Sequence, residues 1–194
     1  MPKIATSTLA QHRDWRRSQL IEAATAIALE SGGQSISVAA VAARAGLSRT
    51  SVYEYFASSS DLVADLIIEE LDAFAQTLTA AVGRESDPSK AISAWIAASL
   101  EYIADGRHLL AKALNAVDLP QSRAPQIGAA HRALLAPLRK TMADFGIGDI
   151  DLALSLIHSS TDSASRRIEN GGDAATIIAA TTAFSIAGLS ALKS

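Results

Sequence analysis

Two groups of polar side chains in this sequence have residue types and spacings that suggest chemistry. The first is His158, Ser159 and Asp162, the residue types of a hydrolytic triad. Neighbouring residues on a helix point about 100 degrees apart, so we do not expect His158 to address Ser159. No strained nucleophile turn, oxyanion hole, glycine-rich phosphate loop or His-Glu-x-x-His segment is evident, and there is no cysteine. The sequence therefore predicts neither an enzyme nor a metal or cofactor site.

The second group lies in the segment VAAVAARAGLSRTSVYEYF, residues 38–56. Apolar residues at helical spacing predict a short helix that begins after Ser37, a good N-cap. Gly46 allows a left-handed residue that ends this helix, and Ser48 caps the next one. A second helix presented in this way fits the major groove of DNA. The side chains that face away from the core in this arrangement are Thr50, Ser51 and Tyr53.

The run S-V-A-A-V-A-A-R-A-G-L-S-R-T-S-V-Y-E-Y-F, Ser37 to Phe56, followed by A-S-S-S-D-L, resembles the TetR family of transcriptional repressors. The Ala-Gly-Leu-Ser corner and the Tyr-x-Tyr-Phe ending are its specific parts. The resemblance implies an all-α fold of about nine helices. It implies a three-helix helix-turn-helix DNA-binding domain over residues 1–60 and a helical ligand-binding and dimerisation domain over residues 61–194.

The resemblance also implies which residues contact DNA. Arg49 is expected to read a guanine, because a guanidinium matches the O6 and N7 atoms of that base. Ser59 stands where many family members have a lysine. Its hydroxyl can still bond a phosphate, but it lacks the positive charge of a lysine. Glu54 is expected to repel the DNA backbone or to select cytosine. The implied DNA-binding residues are Ser37, Arg49, Thr50, Ser51, Tyr53, Tyr55 and Ser59.

Charge is distributed unevenly along the chain. Residues 1–60 hold six lysines and arginines against four aspartates and glutamates, whereas residues 61–194 hold eleven against sixteen. A mildly basic N-terminal part on an acidic remainder suits a protein whose N-terminal part approaches phosphate. Help in DNA binding is expected from an N-terminal cluster formed by His12, Arg13, Arg16 and Arg17.

Apolar residues recur at helical spacing almost throughout, and start and stop signals divide the pattern into nine helices. Pro137 is expected to kink or break the seventh helix, because proline lacks a backbone donor and clashes with the preceding turn. The helices are predicted over about 14–31 (ended by Gly32-Gly33), after Ser37, after Ser48, from a Ser58–Asp61 capping box, after Asp87-Pro88, over 107–115 and 125–145, and after Asp149 and Asp173.

The resemblance implies that helices four to seven enclose a ligand pocket and that helices eight and nine form a homodimer. Residues 174–192 contain no charged side chain, and an uncharged segment of this length could cross a bilayer. Five of them are Ser or Thr, so a buried seam between two copies is the better explanation. The candidate pocket residues are Phe74, Trp95, Tyr102, Met142 and Phe145. The candidate dimer residues are Ile157, Ile177, Thr181, Phe184 and Gly188.

The sequence thus predicts a cytoplasmic, homodimeric repressor that a small apolar ligand releases from a near-palindromic operator in double-stranded DNA. The long fourth helix is the expected lever between the ligand and the DNA. Two alternatives stay open. One is a helical ligand-binding or interaction protein that has lost DNA recognition, which the serine at Ser59 favours. The other is an all-helical enzyme, for which no converging polar cluster is visible. His108, His131 and His158 stand singly, without metal-like spacing.

Overall fold

The computed structural model describes residues 6–31, 36–114 and 119–193. Within these ranges the chain forms nine α-helices and one 3-10 turn, with no β-strand, so the predicted all-α class is confirmed. The helices are α1 Thr6–Ser31, α2 Val38–Ala45, α3 Arg49–Tyr53, α4 Ser59–Gly83, α5 Pro88–Ala104, α6 Leu109–Leu114, α7 Ala124–Phe145, α8 Ile150–Glu169 and α9 Ala174–Ser190, with the 3-10 turn at Gln121–Arg123.

Short polar side chains fix where several helices begin. The Ser58 hydroxyl accepts from the Asp61 backbone N–H at 3.0 Å and donates to the Asp61 carboxylate at 2.7 Å, which confirms Ser58 as the predicted cap of α4. Hydrogen bonds from Thr176 hold the pKa of the Asp173 carboxyl below its usual value. At the starts of three helices an aspartate side chain accepts a hydrogen bond from the backbone N–H of the residue three positions later. The pairs are Asp87–Lys90, Asp149–Leu152 and Asp173–Thr176.

One helix differs from its predicted extent, and another is continuous where an interruption was expected. Helix α1 begins at Thr6 rather than near residue 14, since residues 6–13 contain neither glycine nor proline to stop it. Its predicted stop at Gly32-Gly33 lies outside the described residues. Helix α7 keeps its predicted extent and continues through Pro137, so the expected break is wrong, whereas the alternative of a kink stays a prediction. The Thr141 hydroxyl donates to the Pro137 carbonyl at 2.8 Å in the turn that follows.

The chain divides into two compact units. Unit 1 contains residues 1–70 and 109–127, so α1, α2, α3, α6 and the start of α4 belong to it. Helix α1 packs against α2 and α6, and α2 packs against α3. The buried side chains that hold α1 to α3 and the start of α4 together include Leu20, Ala24, Val41, Val52 and Leu62.

An ion-pair network ties distant segments of unit 1 together. The Arg17 guanidinium on α1 donates to the carboxylate of Asp65 at 2.9 Å and also bonds Glu69, one turn further along α4. Arg123, in the 3-10 turn, pairs with the other oxygen of Asp65. The Asp65 and Arg123 side chains are only 20% and 23% exposed, so removal of the Asp65 carboxylate leaves the charge of Arg123 without this partner in a largely buried position.

Asp65→Asn is expected to destabilise unit 1 by about 1–3 kcal/mol, because two partly buried guanidinium groups lose a charged acceptor. Urea denaturation followed by circular dichroism measures the change. Asp72→Asn is the matched control, since Asp72 is exposed on the same helix. An equal midpoint for the two variants would show that the network adds nothing to stability.

Unit 2 contains residues 71–108 and 128–194. Helix α5 packs against α8 and α9, which also pack against each other. The indole N–H of Trp95 donates to the Leu134 carbonyl at 3.2 Å, which fixes α5 on α7. The core of this unit is built from large apolar side chains, among them Leu78, Ile92, Ile96, Leu138, Met142 and Ile157. No helix among the residues that the structure describes meets the length and hydropathy that a membrane span requires.

Candidate DNA interface

A tight corner joins α2 to α3. The Ser37 side chain caps α2 by accepting from the Ala40 N–H at 3.1 Å. Gly46 ends that helix with φ +67°, and the next backbone N–H, from Leu47, donates to the Ala42 carbonyl at 2.9 Å. These are the bonds of a Schellman motif, which needs a left-handed residue at this position. The corner therefore has the geometry that the sequence predicts.

Gly46→Ala is expected to cost about 1–2 kcal/mol of stability, because alanine is strained in the left-handed region. A Cβ built at Gly46 meets nothing within 4 Å, so the cost comes from the backbone alone. Thermal unfolding measures it. Gly46→Asn is the control, since asparagine tolerates this conformation and is expected to lose less. A loss as large for asparagine as for alanine would contradict the argument.

Helix α3 has one buried and one exposed side. Ser48 caps it by accepting from the Ser51 N–H at 3.1 Å. Val52 is fully buried and Phe56, just beyond the helix, is 2% exposed, as predicted. On the other side Arg49 and Thr50 are exposed, Tyr53 is 57% exposed, and Ser51 is half-buried. The predicted base-reading residues are therefore free to meet a ligand, and none is sealed in the core.

The starts of α2 and α4 meet beside this corner. The Ser59 hydroxyl oxygen accepts from the Val38 backbone N–H at 3.1 Å, while the Ser37 oxygen accepts from Ala40. Each hydroxyl keeps its own hydrogen and can donate it to an outside acceptor. Ser59 thus takes a positioning role between two helices that a lysine could not fill, and it remains able to bond a phosphate.

The predicted N-terminal cluster of cations is split by the structure. Arg17 is held by Asp65 and Glu69 and is not available to DNA. Arg13 lies over the Tyr55 ring, 5.8 Å from its centroid, and Arg16 lies near it. Sequence reasoning missed the partners of Arg17, although two acids one turn apart on α4 were a signal that a cation would lie beside them.

One further arginine is paired rather than free. Arg44, at the end of α2, forms a two-bond contact with Glu30 of α1 at 2.6 and 2.7 Å. These bonds lower the pKa of the Glu30 carboxyl and raise that of Arg44. Arg44 therefore fastens α2 to α1.

The five candidate pocket residues lie in unit 2. Trp95, Tyr102 and Met142 are buried in it, and the Phe74 ring stacks on Tyr102 with centroids 4.2 Å apart. The Phe145 ring lies 3.6 Å from the Lys193 ammonium. The structure brings Phe74 and Tyr102 into contact. Their role in ligand binding stays a prediction.

The five candidate dimer residues lie on α8 and α9. Ile157 is buried, Ile177 and Thr181 are half-buried, and Gly188 is exposed. Phe184 is 72% exposed, the most exposed large apolar side chain among the described residues. An apolar groove of about 160 Å³ beside it is lined by Leu156, Ile157, Gly188, Leu189 and Leu192, among others. Sequence reasoning missed Leu152 and Leu156, which are exposed on α8.

The residues of the rejected triad have other partners. The Ser159 hydroxyl donates to the Ser155 carbonyl at 3.0 Å, and Asp162 pairs with Arg166 at 2.6 Å. His158 is exposed. A different histidine, His108, lies with Nε2 2.8 Å from the Glu169 carboxylate. Within the described ranges no three histidine, aspartate or glutamate side chains form a group that could hold a metal ion.

The capped corner and the exposed face of α3 define an all-helical protein with an N-terminal helix-turn-helix. Residues 20–66 match the family described as "Bacterial regulatory proteins, tetR family". The matched segment is 47 of the 194 residues and contains the end of α1, all of α2 and α3 and the start of α4.

Individual proteins resemble longer parts of the chain. The HTH-type transcriptional regulator BetI of Brucella anthropi is 34% identical over 97 residues, which are 50% of this chain and 47% of that protein. The match therefore spans about half the length of that relative. A TetR-family transcriptional regulator from Streptomyces coelicolor has the same fold, with a TM-score of 0.76 and 19% identity over 100% of this chain and 98% of that one. FadR from Bacillus subtilis, solved in complex with stearoyl-CoA, gives 0.73 and 20% over 88% and 98%.

Proposed function

We propose that this protein is a homodimeric transcriptional repressor that binds a near-palindromic operator and leaves it when a small apolar ligand binds. The observation that carries the proposal is the presentation of α3. Its Arg49, Thr50 and Tyr53 side chains are exposed on a helix that a capped corner and two buried side chains, Val52 and Phe56, hold in place. Such a helix can lie against base edges in the major groove.

The proposed contacts divide into reading and positioning. Arg49 reads a base, with Thr50 and Ser51 beside it. The hydroxyls of Ser37, Ser59, Tyr53 and Tyr55 bond phosphates, which orients the protein without selecting a sequence. Support for the serine roles comes from their oxygens, which accept backbone hydrogen bonds while their hydrogens remain free to donate.

The proposed dimer is formed by α8 and α9 of two copies. Support comes from Phe184, which is 72% exposed beside an apolar groove on its own chain. In a twofold interface each copy presents the same patch, so the Phe184 ring of one copy can fill the groove of the other. Two copies then present two α3 helices to two half-sites, which explains the proposed near-palindromic operator.

The proposed ligand is small and apolar and binds in unit 2 among Phe74, Trp95, Tyr102, Met142 and Phe145. Support comes from the stacked Phe74 and Tyr102 rings, since Phe74 is only half-buried. FadR from Bacillus subtilis, which has this fold, is described with stearoyl-CoA. The apolar part of that ligand is its acyl chain, so fatty acids are a suitable first set of small apolar probes. The ligand must favour the conformer that binds DNA poorly, and tenfold weaker binding needs about 1.4 kcal/mol of coupling. We place the protein in the cytoplasm and assign it no enzymatic activity.

Selection of bound fragments from genomic DNA, followed by gel shifts at several salt concentrations, tests the proposal. A regulator retards a discrete set of fragments, and its affinity falls steeply with salt because phosphate contacts release counterions. The absence of salt-sensitive retardation for any fragment would favour a helical interaction protein instead. Turnover of a substrate would point to an enzyme.

A further inference from the structure

A basic groove runs beside α3 in unit 1. Its lining is His12, Arg13 and Arg16 from α1 together with Glu54 and Tyr55, the two residues that follow α3. Residue 16 lies three positions after residue 13 and four after residue 12, so its side chain is next to both of them on α1. The groove has a volume of about 530 Å³ and opens to solvent, which is ample for a phosphate and its neighbouring sugar.

The two arginines of this groove differ from several other arginines of unit 1 because no carboxylate among the described residues pairs with them. Arg17 and Arg44 have carboxylate partners, whereas neither Arg13 nor Arg16 forms an ion pair with any residue that the structure describes. Glu54 is exposed and, within the same ranges, has no cation within ion-pair distance. The groove therefore holds two unpaired guanidinium groups and one unpaired carboxylate, an arrangement with net attraction for an anion.

The position of the groove identifies the anion. Glu54 and Tyr55 follow directly on α3, whose exposed face is the proposed reading surface. A duplex lying on α3 brings a phosphate backbone alongside, and the Tyr55 hydroxyl and the two guanidinium groups are suitable donors to it. The Arg13 guanidinium over the Tyr55 ring keeps the two donors together.

We propose that this groove binds the DNA backbone through Arg13 and Arg16, and that the Glu54 carboxylate weakens this contact by repelling the same phosphate. The inference rests on the proposed DNA-binding function and adds to it a residue that sets affinity without reading sequence. A contact weakened in this way lowers the affinity for operator and for random DNA alike, which keeps the protein easy to release.

Three variants test the groove. Binding is measured by fluorescence anisotropy on operator and random duplexes from 50 to 300 mM KCl, a series in which the Debye length falls from about 14 Å to about 6 Å. Glu54→Gln is expected to tighten binding to both duplexes by about 3–10-fold, because the repulsion is lost. The double variant Arg13→Gln with Arg16→Gln is expected to weaken both and to reduce the salt slope by about two, one for each lost phosphate contact. In the triple variant Glu54→Gln is expected to gain less than about twofold, since the phosphate no longer lies in the groove.

Two controls isolate the effect of location from that of net charge. Glu22→Gln removes an exposed carboxylate from α1 outside the groove, and Arg84→Gln removes an exposed guanidinium from unit 2. Both are expected to change affinity by less than about twofold, because neither residue lines the groove. Circular dichroism confirms that each variant is folded. Glu54 and the two arginines form no ion pair in the described chain, so little stability is lost.

The outcomes separate this inference from the function on which it rests. If the unsubstituted protein binds its operator and Glu54→Gln behaves like Glu22→Gln, the groove proposal is overturned and the DNA-binding function stands. An unchanged salt slope in the double variant overturns it in the same way. If the unsubstituted protein binds no duplex at any salt concentration, the proposed function fails, and the groove proposal fails with it.

Discussion

Phe184→Arg is expected to convert the dimer into monomers and to weaken operator binding by about a hundredfold or more. A dimer engages its second half-site as an intramolecular event, and the advantage of that second contact is about 10²–10⁴-fold. An arginine at a position that two copies share places two like charges in an apolar seam, and neither has a carboxylate beside it in the groove of Leu156, Gly188 and Leu189.

Sedimentation equilibrium measures the loss of the dimer, and anisotropy on the operator measures its consequence. Leu135→Arg is the matched control, because Leu135 is a large apolar residue, 38% exposed, on α7 rather than on α8 or α9. This control is expected to remain dimeric. A Phe184→Arg protein that sediments as a dimer would place the seam elsewhere on the surface.

Arg49→Ala is expected to weaken specific binding by about 1–3 kcal/mol, or roughly 5–150-fold, while binding to random DNA changes much less. The reason is that a base contact contributes only at the matching base, whereas phosphate contacts contribute everywhere. Arg49 is exposed at the first position of α3, where its side chain has the reach for a base edge. Anisotropy on the operator and on single-base variants of it measures the change.

Arg49→Lys separates reading from simple attraction. A lysine keeps the charge but loses the planar fork that pairs with guanine, so specificity should still relax. Operator affinity unchanged in the alanine variant would remove Arg49 from the interface. A lysine variant that keeps full specificity would make Arg49 a phosphate contact instead.

Much of the fold could be predicted because its signals are local. Ser58 and Asp61, three positions apart, cap α4 through bonds within one turn, and Gly46 ends α2 through its own backbone angle. Such features depend on residues close in sequence, which a pattern reveals directly. The exposed face of α3 was predictable for the same reason, since Val52 and Phe56 mark the buried side.

What could not be predicted depends on pairings across the chain. Arg17 is 48 residues from Asp65 and 52 from Glu69, and no periodicity indicates which distant acid a basic residue will meet. The same applies to Arg123, whose partner lies on α4. The predicted break of α7 at Pro137 was wrong because the local penalty of a proline can be outweighed by the packing of the rest of the helix. The penalty of about 3 kcal/mol for an interior proline can be offset when neighbours such as Leu138 and Met142 are buried.

The order in which the chain visits its two compact units constrains how the protein can be dissected. Residues 109–127 return to unit 1 after residues 71–108 have left it, so no single cut separates the two. A fragment ending at residue 60 or 70 lacks both α6, which lies on α1, and Arg123, the second partner of Asp65. Truncations at those points should yield a destabilised form of unit 1, and its poor DNA binding would say little about the intact protein. Point substitutions in the full-length chain are the sounder way to assign its functions.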